Sequence, residues 1–430
     1  MNARKPQPHA PSYYAATAHS QPSRPMLAGR RDADICVVGG GFSGVSTALA
    51  LAERGYSVIL LEQNRIGWGA SGRNGGQVLA GWSGEHNLVK QLGDRASEFL
   101  SRTRYRGHEI IEQRIARYGI ACDYAVGTAT AALSTRYLHK LEAEYTALAA
   151  EGQAGHLELV DGGRIKQYIG SDLYCGGLID SRGAHCHPLN LCIGEALAAE
   201  SLGVQIFENS QVTGIEQKSG VMVSTFAGAV LASAVVLAGS AYHHLLPQQL
   251  GGYTLPAMTY VMATEPLESR FAKSLLPANH AICDTKEVLD YFRLSADNRL
   301  LWGGECSYSN RSAVDIRKIL TPGMLRAFPQ LAATRVEFTW SGAIDITLNR
   351  VPMIGRTGKA LYHIQGFSGH GVNTSHIASE IVADAISDDL APIDLLQEAR
   401  HWRIPAADFI GNPMLALGMT YFRMRDRLGF

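Results

Sequence analysis

The pattern of apolar and polar positions predicts a strand, helix and strand near the start of the chain. An apolar run at 35–38 leads into a glycine-rich turn at 39–44. An Ala/Leu-rich segment with helical spacing follows at 45–54, and a second apolar run occupies 57–62. Because short β-branched runs are typical of buried strands, this order predicts a βαβ unit of about 30 residues.

The same alternation continues along the rest of the chain. The pattern predicts helices at 102–117, 188–201 and 372–386 and strands at 204–208, 221–226, 234–238 and 362–365. The last strand leads into a second glycine-rich turn at 366–371, so the order of strand, glycine turn and helix occurs near both ends of the chain. This alternation predicts an α/β fold.

One stretch raises the question of a membrane span. Residues 219–264 contain no Asp, Glu, Lys or Arg. A spanning helix needs about 20 predominantly apolar residues, and here polar residues, glycine and proline interrupt every shorter run. We therefore expect buried strands joined by turns and no membrane span.

Composition narrows the class of partner and the compartment. Lys and Arg number 39, as do Asp and Glu, so the net charge is zero and a nucleic-acid partner is not expected. The seven cysteines form no C-x-x-C pair, which argues against a zinc or dithiol site, and we expect no metal. Reduced cysteines and the lack of an apolar signal segment at the N-terminus favour the cytoplasm.

The turn at 39–44 has the glycine spacing of a dinucleotide-binding site. Gly39, Gly41 and Gly44 give G-x-G-x-x-G between a strand and a helix, and Glu62 ends the next strand. In this motif the glycines allow a tight turn, close approach of a pyrophosphate and close packing of the helix. A glutamate at the second strand can accept the ribose hydroxyls and would repel the 2′-phosphate of NADP.

Two further segments favour FAD over NAD. The helix after the turn at 366–371 could direct its positive N-terminus at the N1/O2 edge of a flavin ring, where reduced flavin is anionic. The sequence GWGASGRNGGQ at 67–77 is rich in small residues that allow backbone to lie against a ligand, and Arg73 could contact the pyrophosphate or the flavin.

The motifs GGGFSG, GASGRNGGQ and GFSGHGV together resemble the D-amino-acid oxidase-like family of FAD-dependent oxidoreductases. The resemblance implies a discontinuous Rossmann-like FAD-binding domain plus an α+β substrate domain with an antiparallel sheet. We expect an N-terminal extension at 1–30 and a C-terminal extension at 391–430. The expected FAD-binding domain comprises 31–108, 180–245 and 340–390, and the expected substrate domain comprises 109–179 and 246–339.

The motifs and the resemblance together give a set of candidate site residues. The candidates for cofactor binding are Gly39, Gly41, Phe42, Ser43, Gly44, Glu62, Gln63, Ser71, Arg73, Asn74, Gly75, Gly76, Gln77, Val212, Ala238, Gly239, Gly342, Gly366, Gly369, His370, Gly371 and Val372. Tyr291, Arg293 and His370 are the candidates for substrate contact and catalysis. Tyr291 and Arg293 are two apart in a predicted strand, so they share a face, and an Arg with a Tyr hydroxyl can bind a carboxylate.

The resemblance also implies the reaction. An amine C–N bond is oxidised by hydride transfer to flavin N5, and the resulting imine is hydrolysed, with O2 or another electron acceptor completing the cycle. Several stretches shared with one branch of the family, among them LDYFRLSADNRLLWGG at 289–304, imply gamma-glutamylputrescine or a related polyamine-type amine as the substrate. The alternatives are an oxidase or dehydrogenase acting on glycine, sarcosine or a D-amino acid, and a flavin-binding protein without turnover.

Two departures from the sarcosine oxidases of this family bear on substrate and cofactor. Those enzymes carry a carboxylate-binding Lys where this chain has Asn373, which argues against a simple N-methylglycine substrate. They also carry a flavin-tethering Cys in the neighbourhood that Pro352 and Met353 occupy here. We therefore expect non-covalent FAD.

Overall fold

The computed structural model of the protein describes residues 7–217, 219–242, 245–286, 288–307 and 315–404. Most of the expected C-terminal extension at 391–430 lies outside these ranges. Among the described residues, no helix combines the length and the apolar character that a bilayer crossing requires.

The first sheet has eight strands and contains the predicted βαβ unit. The strands are β1 (Gly29–Val38), β2 (Val58–Leu61), β7 (Gln205–Phe207), β8 (Val212–Gln217), β9 (Val221–Thr225), β10 (Gly228–Leu237), β16 (Met353–Thr357) and β17 (Leu361–Gln365). The main path of this sheet runs in the order β16, β17, β10, β1, β2, β7, and the neighbours from β17 to β7 are parallel. Strands β8 and β9 form a hairpin, and β9 pairs with β10 in the antiparallel direction.

The helices α2 (Phe42–Glu53), α7 (Pro188–Ser201) and α11 (Gly371–Ile386) pack together beside this sheet. Their apolar residues join those of β1, β2 and β17 in the largest core cluster of the described chain. Ten of the twelve residues of α2 and twelve of the sixteen residues of α11 are buried, so packing fixes both helices against their neighbours. The N-termini of these two helices are therefore held in constant positions.

The other described helices are α1 (Tyr13–Ala16), α3 (Glu85–Leu92), α4 (Asp94–Thr103), α5 (Arg106–Tyr118), α6 (Thr135–Ala150), α8 (Pro247–Leu250), α9 (Ser269–Leu275), α10 (Ile316–Ala327) and α12 (Ala391–Gln397). The single helix expected at 102–117 is wrong in one respect, because α4 ends at Thr103 and α5 starts at Arg106. Both helices are amphipathic, so the apolar pattern continues across the break and conceals it.

The second sheet has nine strands, and most of its neighbours are antiparallel. The strands are β3 (Gln77–Val78), β4 (Ala125–Ala132), β5 (Leu157–Asp161), β6 (Gly176–His185), β11 (Thr254–Thr264), β12 (Ala281–Asp284), β13 (Tyr291–Leu294), β14 (Leu300–Ser307) and β15 (Val336–Thr347). The main path of this sheet runs in the order β15, β11, β14, β13, β12, β4, β6, β3, and β5 pairs with β6.

Four of the expected domain boundaries fall inside an element of the structure. The boundary at 30/31 divides β1, and the boundary at 108/109 divides α5. The boundary at 179/180 divides β6, and the boundary at 339/340 divides β15. Both strands lie whole in the second sheet, paired by backbone hydrogen bonds along their length. The assignment of the segments to an FAD-binding domain and a substrate domain otherwise stays a prediction.

Candidate functional site

One cavity of about 1010 Å³ is bordered by both sheets and by the N-termini of α2 and α11. Residues from both glycine-rich turns line it, although the turns are more than 300 positions apart in the sequence. The predicted site residues on its wall are Gly39, Gly41, Phe42, Ser43, Glu62, Gln63, Ser71, Arg73, Asn74, Gly75, Gln77, Val212, Ala238, Gly239, Tyr291, Gly342, Gly369, His370, Gly371 and Val372. Gly44, Gly76, Gly366 and Arg293 do not line it.

The first glycine turn is too crowded for side chains. Gly39 has a φ of +115°, and a Cβ there would lie 2.6 Å from the carbonyl oxygen of Ala238. A Cβ on Gly44 would lie 1.8 Å from the carbonyl oxygen of Gly39. At Gly41 a Cβ would lie 2.8 Å from Ser71 Oγ, which accepts a hydrogen bond from the Phe42 N–H. The turn thus presents bare backbone at the start of α2, where the helix dipole favours an anion.

Glu62 lies at the end of β2, beside the first turn. Its carboxylate accepts hydrogen bonds from the N–H groups of Gly40 and Asn64, both at 2.7 Å. Desolvation raises the pKa of Glu62 to about 7, although these backbone donors favour the ionised form. Each carboxylate oxygen keeps a second lone pair, so the group can also accept the hydroxyls of a ribose.

The second glycine turn is fixed by Asp345 of β15. The buried carboxylate accepts a hydrogen bond from the Gly366 N–H at 2.5 Å, and the Asp345 carbonyl accepts one from the Ser368 N–H. Helix α11 begins directly after this turn, and no side chain caps its N-terminus. The uncapped end borders the cavity at Gly371 and Val372, where the helix dipole can act on a ligand.

The segment 68–77 forms a third part of the wall. Asn74 stabilises its tight turn: the side-chain amide donates to the Ser71 carbonyl at 2.9 Å, and the side-chain oxygen accepts from the Gly76 N–H at 2.7 Å. Arg73 packs over the Trp68 ring and donates to the Trp68 carbonyl at 2.8 Å. Its stem also passes close to Gly342 on β15.

The expectation that Arg293 binds a substrate carboxylate is wrong. Its side chain is 3% exposed, and its guanidinium donates to the carbonyls of Gly75 and Cys186, both at 2.7 Å. The guanidinium packs against Gly75 and Gly76, and a Cβ on Gly76 would fall 2.6 Å from Arg293 Nη2. Arg293 does not line the cavity. Tyr291 and Arg293 do point toward the same segment, but only Tyr291 reaches the cavity.

His370 lines the cavity as a neutral group. Desolvation lowers the pKa of its imidazole. The Nε2 atom lies 3.1 Å from the Ala80 carbonyl, which can only accept, so this nitrogen carries the ring proton. His370 is the N-cap residue of α11, but its side chain makes no capping hydrogen bond. The ring is therefore held at the wall by the backbone of the segment after β3.

Several wall residues escaped the sequence analysis. Thr259, Cys283, Glu305, Asp345 and Arg350 line the cavity from β11, β12, β14, β15 and the turn after β15. Glu305 has a φ of +52° and occupies a β-bulge opposite Thr259. Arg350 has a φ of +64° and is exposed. The left-handed backbone that marks Glu305 and Arg350 cannot be read from the sequence, and Thr259, Cys283 and Asp345 lie in strands without a distinguishing motif.

The geometry fits FAD. The N-terminus of α2 and a turn without side chains can hold a diphosphate, a carboxylate at the end of β2 can hold a ribose, and the uncapped N-terminus of α11 can face a flavin ring. The buried Asp345 fixes the second turn opposite them. The two glycine turns come from opposite ends of the chain and line one cavity. A long dinucleotide could therefore extend from one turn to the other.

Comparison with known proteins agrees with this geometry. Residues 34–385 match the model of a family described as FAD dependent oxidoreductase. The chain is 39% identical over 423 residues to gamma-glutamylputrescine oxidoreductase of Escherichia coli strain K12, covering 98% of this chain and 99% of that protein. It is also 39% identical to a probable oxidoreductase, OrdL, of Haemophilus influenzae, covering 98% of both.

Solved structures show the same fold at lower identity. L-amino acid deaminase from Proteus vulgaris superposes with a TM-score of 0.73 at 19% identity, covering 89% of this chain and all of that one. Glycine oxidase from Geobacillus kaustophilus gives 0.70 at 21% identity, covering 84% of this chain and 98% of that one. With more than half of its length matched by the family model, the chain belongs to the FAD-dependent oxidoreductase family and is an FAD-dependent enzyme.

Proposed function

We propose that the protein oxidises an amine C–N bond of gamma-glutamylputrescine or of a related gamma-glutamylated polyamine. The observation that carries this proposal is the 39% identity to the E. coli enzyme of that name over nearly the whole of both chains. When bound between the two glycine turns, FAD would supply the redox chemistry, with the hydride coming from the carbon next to nitrogen. The residues of this chain bind and orient the amine and keep the reacting end dry.

Two titratable groups of the wall, Tyr291 and His370, support binding of the amine in its neutral form. Burial raises the pKa of Tyr291 well above its usual range and lowers that of His370, so neither carries charge at neutral pH. Ile344, Ile346 and Phe367 line the same cavity with apolar side chains. Because an apolar wall disfavours an ammonium, it promotes loss of the proton that blocks hydride transfer.

Two charged residues at the wall suit the glutamyl end of such a substrate. An α-carboxylate and an α-ammonium would need a cation and an anion, and Arg350 and Glu305 provide this pair of charges. Both residues hold left-handed backbone, which costs about 1–2 kcal/mol for a residue with a side chain. A bulge redirects the side chain of its strand, so the bulge at Glu305 supports a functional orientation.

The test is flavin reduction under argon with a panel of amines. We expect gamma-glutamylputrescine to bleach the flavin faster than putrescine, glutamate, glycine, sarcosine or D-alanine. Reduction by glycine or a D-amino acid in place of the glutamylated amine would instead identify an amino-acid oxidase. If no amine bleached the flavin, the proposal of amine oxidation would be wrong.

The electron acceptor and the location are separate predictions. Hydrogen peroxide released during turnover in air would identify O2 as the acceptor, and turnover only with an added dye would identify another one. The cytoplasmic location stays a prediction based on the cysteines, which are all free in the structure.

A further inference from the structure

Residues 7–16, here called the N-terminal strap, are bound to the segment that borders the cofactor cavity. The Gln7 N–H donates to Asn64 Oδ1 at 2.9 Å, and Trp68 Nε1 donates to the Pro8 carbonyl at 2.9 Å. The strap ends in α1, where Ser12 caps the helix through its hydroxyl. It therefore crosses the outer side of the cavity wall before entering the core.

Tyr14 of the strap is completely buried, and its hydroxyl accepts a hydrogen bond from Arg293 Nη2 at 3.1 Å. Arg293 in turn donates from Nε to the Gly75 carbonyl. The Tyr14 ring also packs edge-on against Trp340, with centroids 5.2 Å apart, and Trp340 Nε1 donates to the Arg73 carbonyl at 2.8 Å. Two routes thus connect Tyr14 to two carbonyls of the segment 68–77.

The glycine end of this segment depends on support from outside the segment as well as on the hydrogen bonds of Asn74. Gly75 and Gly76 carry no side chains, and Gly76 has a φ of +74°. Glycine backbone loses the most conformational entropy when it is ordered, so its position depends on the groups that bind it. Here those groups are Asn74, Arg293 and Trp340.

We infer that the N-terminal strap positions the FAD-binding segment 68–77, and that Tyr14 is its central positioning residue. The family model begins at residue 34, so the strap lies outside the matched core of the family. The alignment with the E. coli enzyme covers 98% of this chain and must include Tyr13 and Tyr14. The inference concerns FAD binding and stands independently of the substrate.

The experiment compares Tyr14→Phe with Tyr13→Phe. Tyr13 is adjacent, is 4% exposed and donates its hydroxyl proton to Asp297 Oδ1 at 2.7 Å, and its ring contacts among the described residues are with Tyr14, His187, Phe338 and Arg299 and not with the segment 68–77. Both substitutions remove one buried hydroxyl from the same helix, so both should lower the melting temperature. The readouts specific to positioning are the FAD dissociation constant of the deflavinated protein and the visible absorption spectrum of the loaded protein.

We expect Tyr14→Phe to raise the FAD dissociation constant about three- to tenfold and to shift the flavin spectrum, as loss of one hydrogen bond to a charged group predicts. Tyr13→Phe should stay within about twofold of the wild type. Arg293→Lys, which keeps the charge but loses the fork, should behave like Tyr14→Phe. Equal FAD affinities for the two tyrosine variants would overturn the inference, whatever their melting temperatures.

Discussion

The two ends of the cavity are built in different ways. At the dinucleotide end, two glycine turns and two helix N-termini present backbone, and contacts as short as the 1.8 Å between a Gly44 Cβ and Gly39 O exclude side chains. At the substrate end, side chains from several strands of the second sheet form the wall. The difference implies that the first end tolerates almost no substitution, whereas the second can change its residues, and with them the substrate, without changing the fold.

The largest expected effect is at the dinucleotide end. Gly44→Ala should lower the free energy of unfolding by about 3 kcal/mol or more and prevent FAD retention, because the methyl group meets a backbone oxygen that cannot move aside. The gain in helix propensity, about 1 kcal/mol, is too small to offset this. Urea unfolding measures the change in stability, and visible absorbance of the purified protein measures the FAD content. Gly214→Ala is the control, since a Cβ there meets nothing within 4 Å.

Arg293→Ala should come next. It leaves buried carbonyls of Gly75 and Cys186 without their donor, which should cost about 3 kcal/mol of stability and weaken FAD binding. The ratio of KM values for a carboxylated and an uncarboxylated amine should not change. A selective rise in KM for the carboxylated amine, at full FAD occupancy, would restore Arg293 as a substrate ligand.

Arg350→Ala should have a smaller effect, confined to the substrate. We expect KM for gamma-glutamylputrescine to rise about tenfold and KM for putrescine to change little, as loss of one charge-assisted contact predicts. Melting temperature and FAD content should stay at wild-type values. Arg356→Ala, which removes an arginine paired with Asp394 away from the cavity, is the matched control. If Arg350→Ala and Arg356→Ala had similar KM values for gamma-glutamylputrescine, Arg350 would not be a substrate-binding residue.

An effect of about the same small size is expected at Glu62, as a pH dependence of stability. Its pKa of about 7 in the folded protein lies above the ordinary glutamate value of 4.5, so the protonated carboxyl contributes stability that is present below pH 4.5 and lost as the pH rises through 7. Between pH 5 and 7.5, the deflavinated wild type should lose about 1–2 kcal/mol relative to Glu62→Gln, since water in the cavity screens part of the effect. Parallel stability curves for the two proteins would contradict the assignment.

The difference between the two ends also explains what the sequence could predict. The turn at 39–44 and the acidic residue at 62 are close in the sequence, and their spacing alone specifies how they meet in a βαβ unit. The turn at 366–371 resembles the first one locally, so the sequence predicts both turns, whereas only the structure shows that they line one cavity.

The substrate end gave no such local signal. Arg293 is an arginine on the expected face of a strand, but it binds backbone because Gly75 and Gly76 leave room for it. Glu305 reaches the cavity through a bulge, and Arg350 through a left-handed turn residue. These positions depend on the pairing of distant strands, which the sequence pattern does not encode residue by residue.

The most direct test of the central claim is the flavin content of the purified protein after acid denaturation. If two backbone turns hold one dinucleotide in one cavity without a covalent bond, the supernatant should contain one FAD per chain and the pellet should be colourless. Flavin that stays with the precipitated chain, or a flavin other than FAD in the supernatant, would contradict the account.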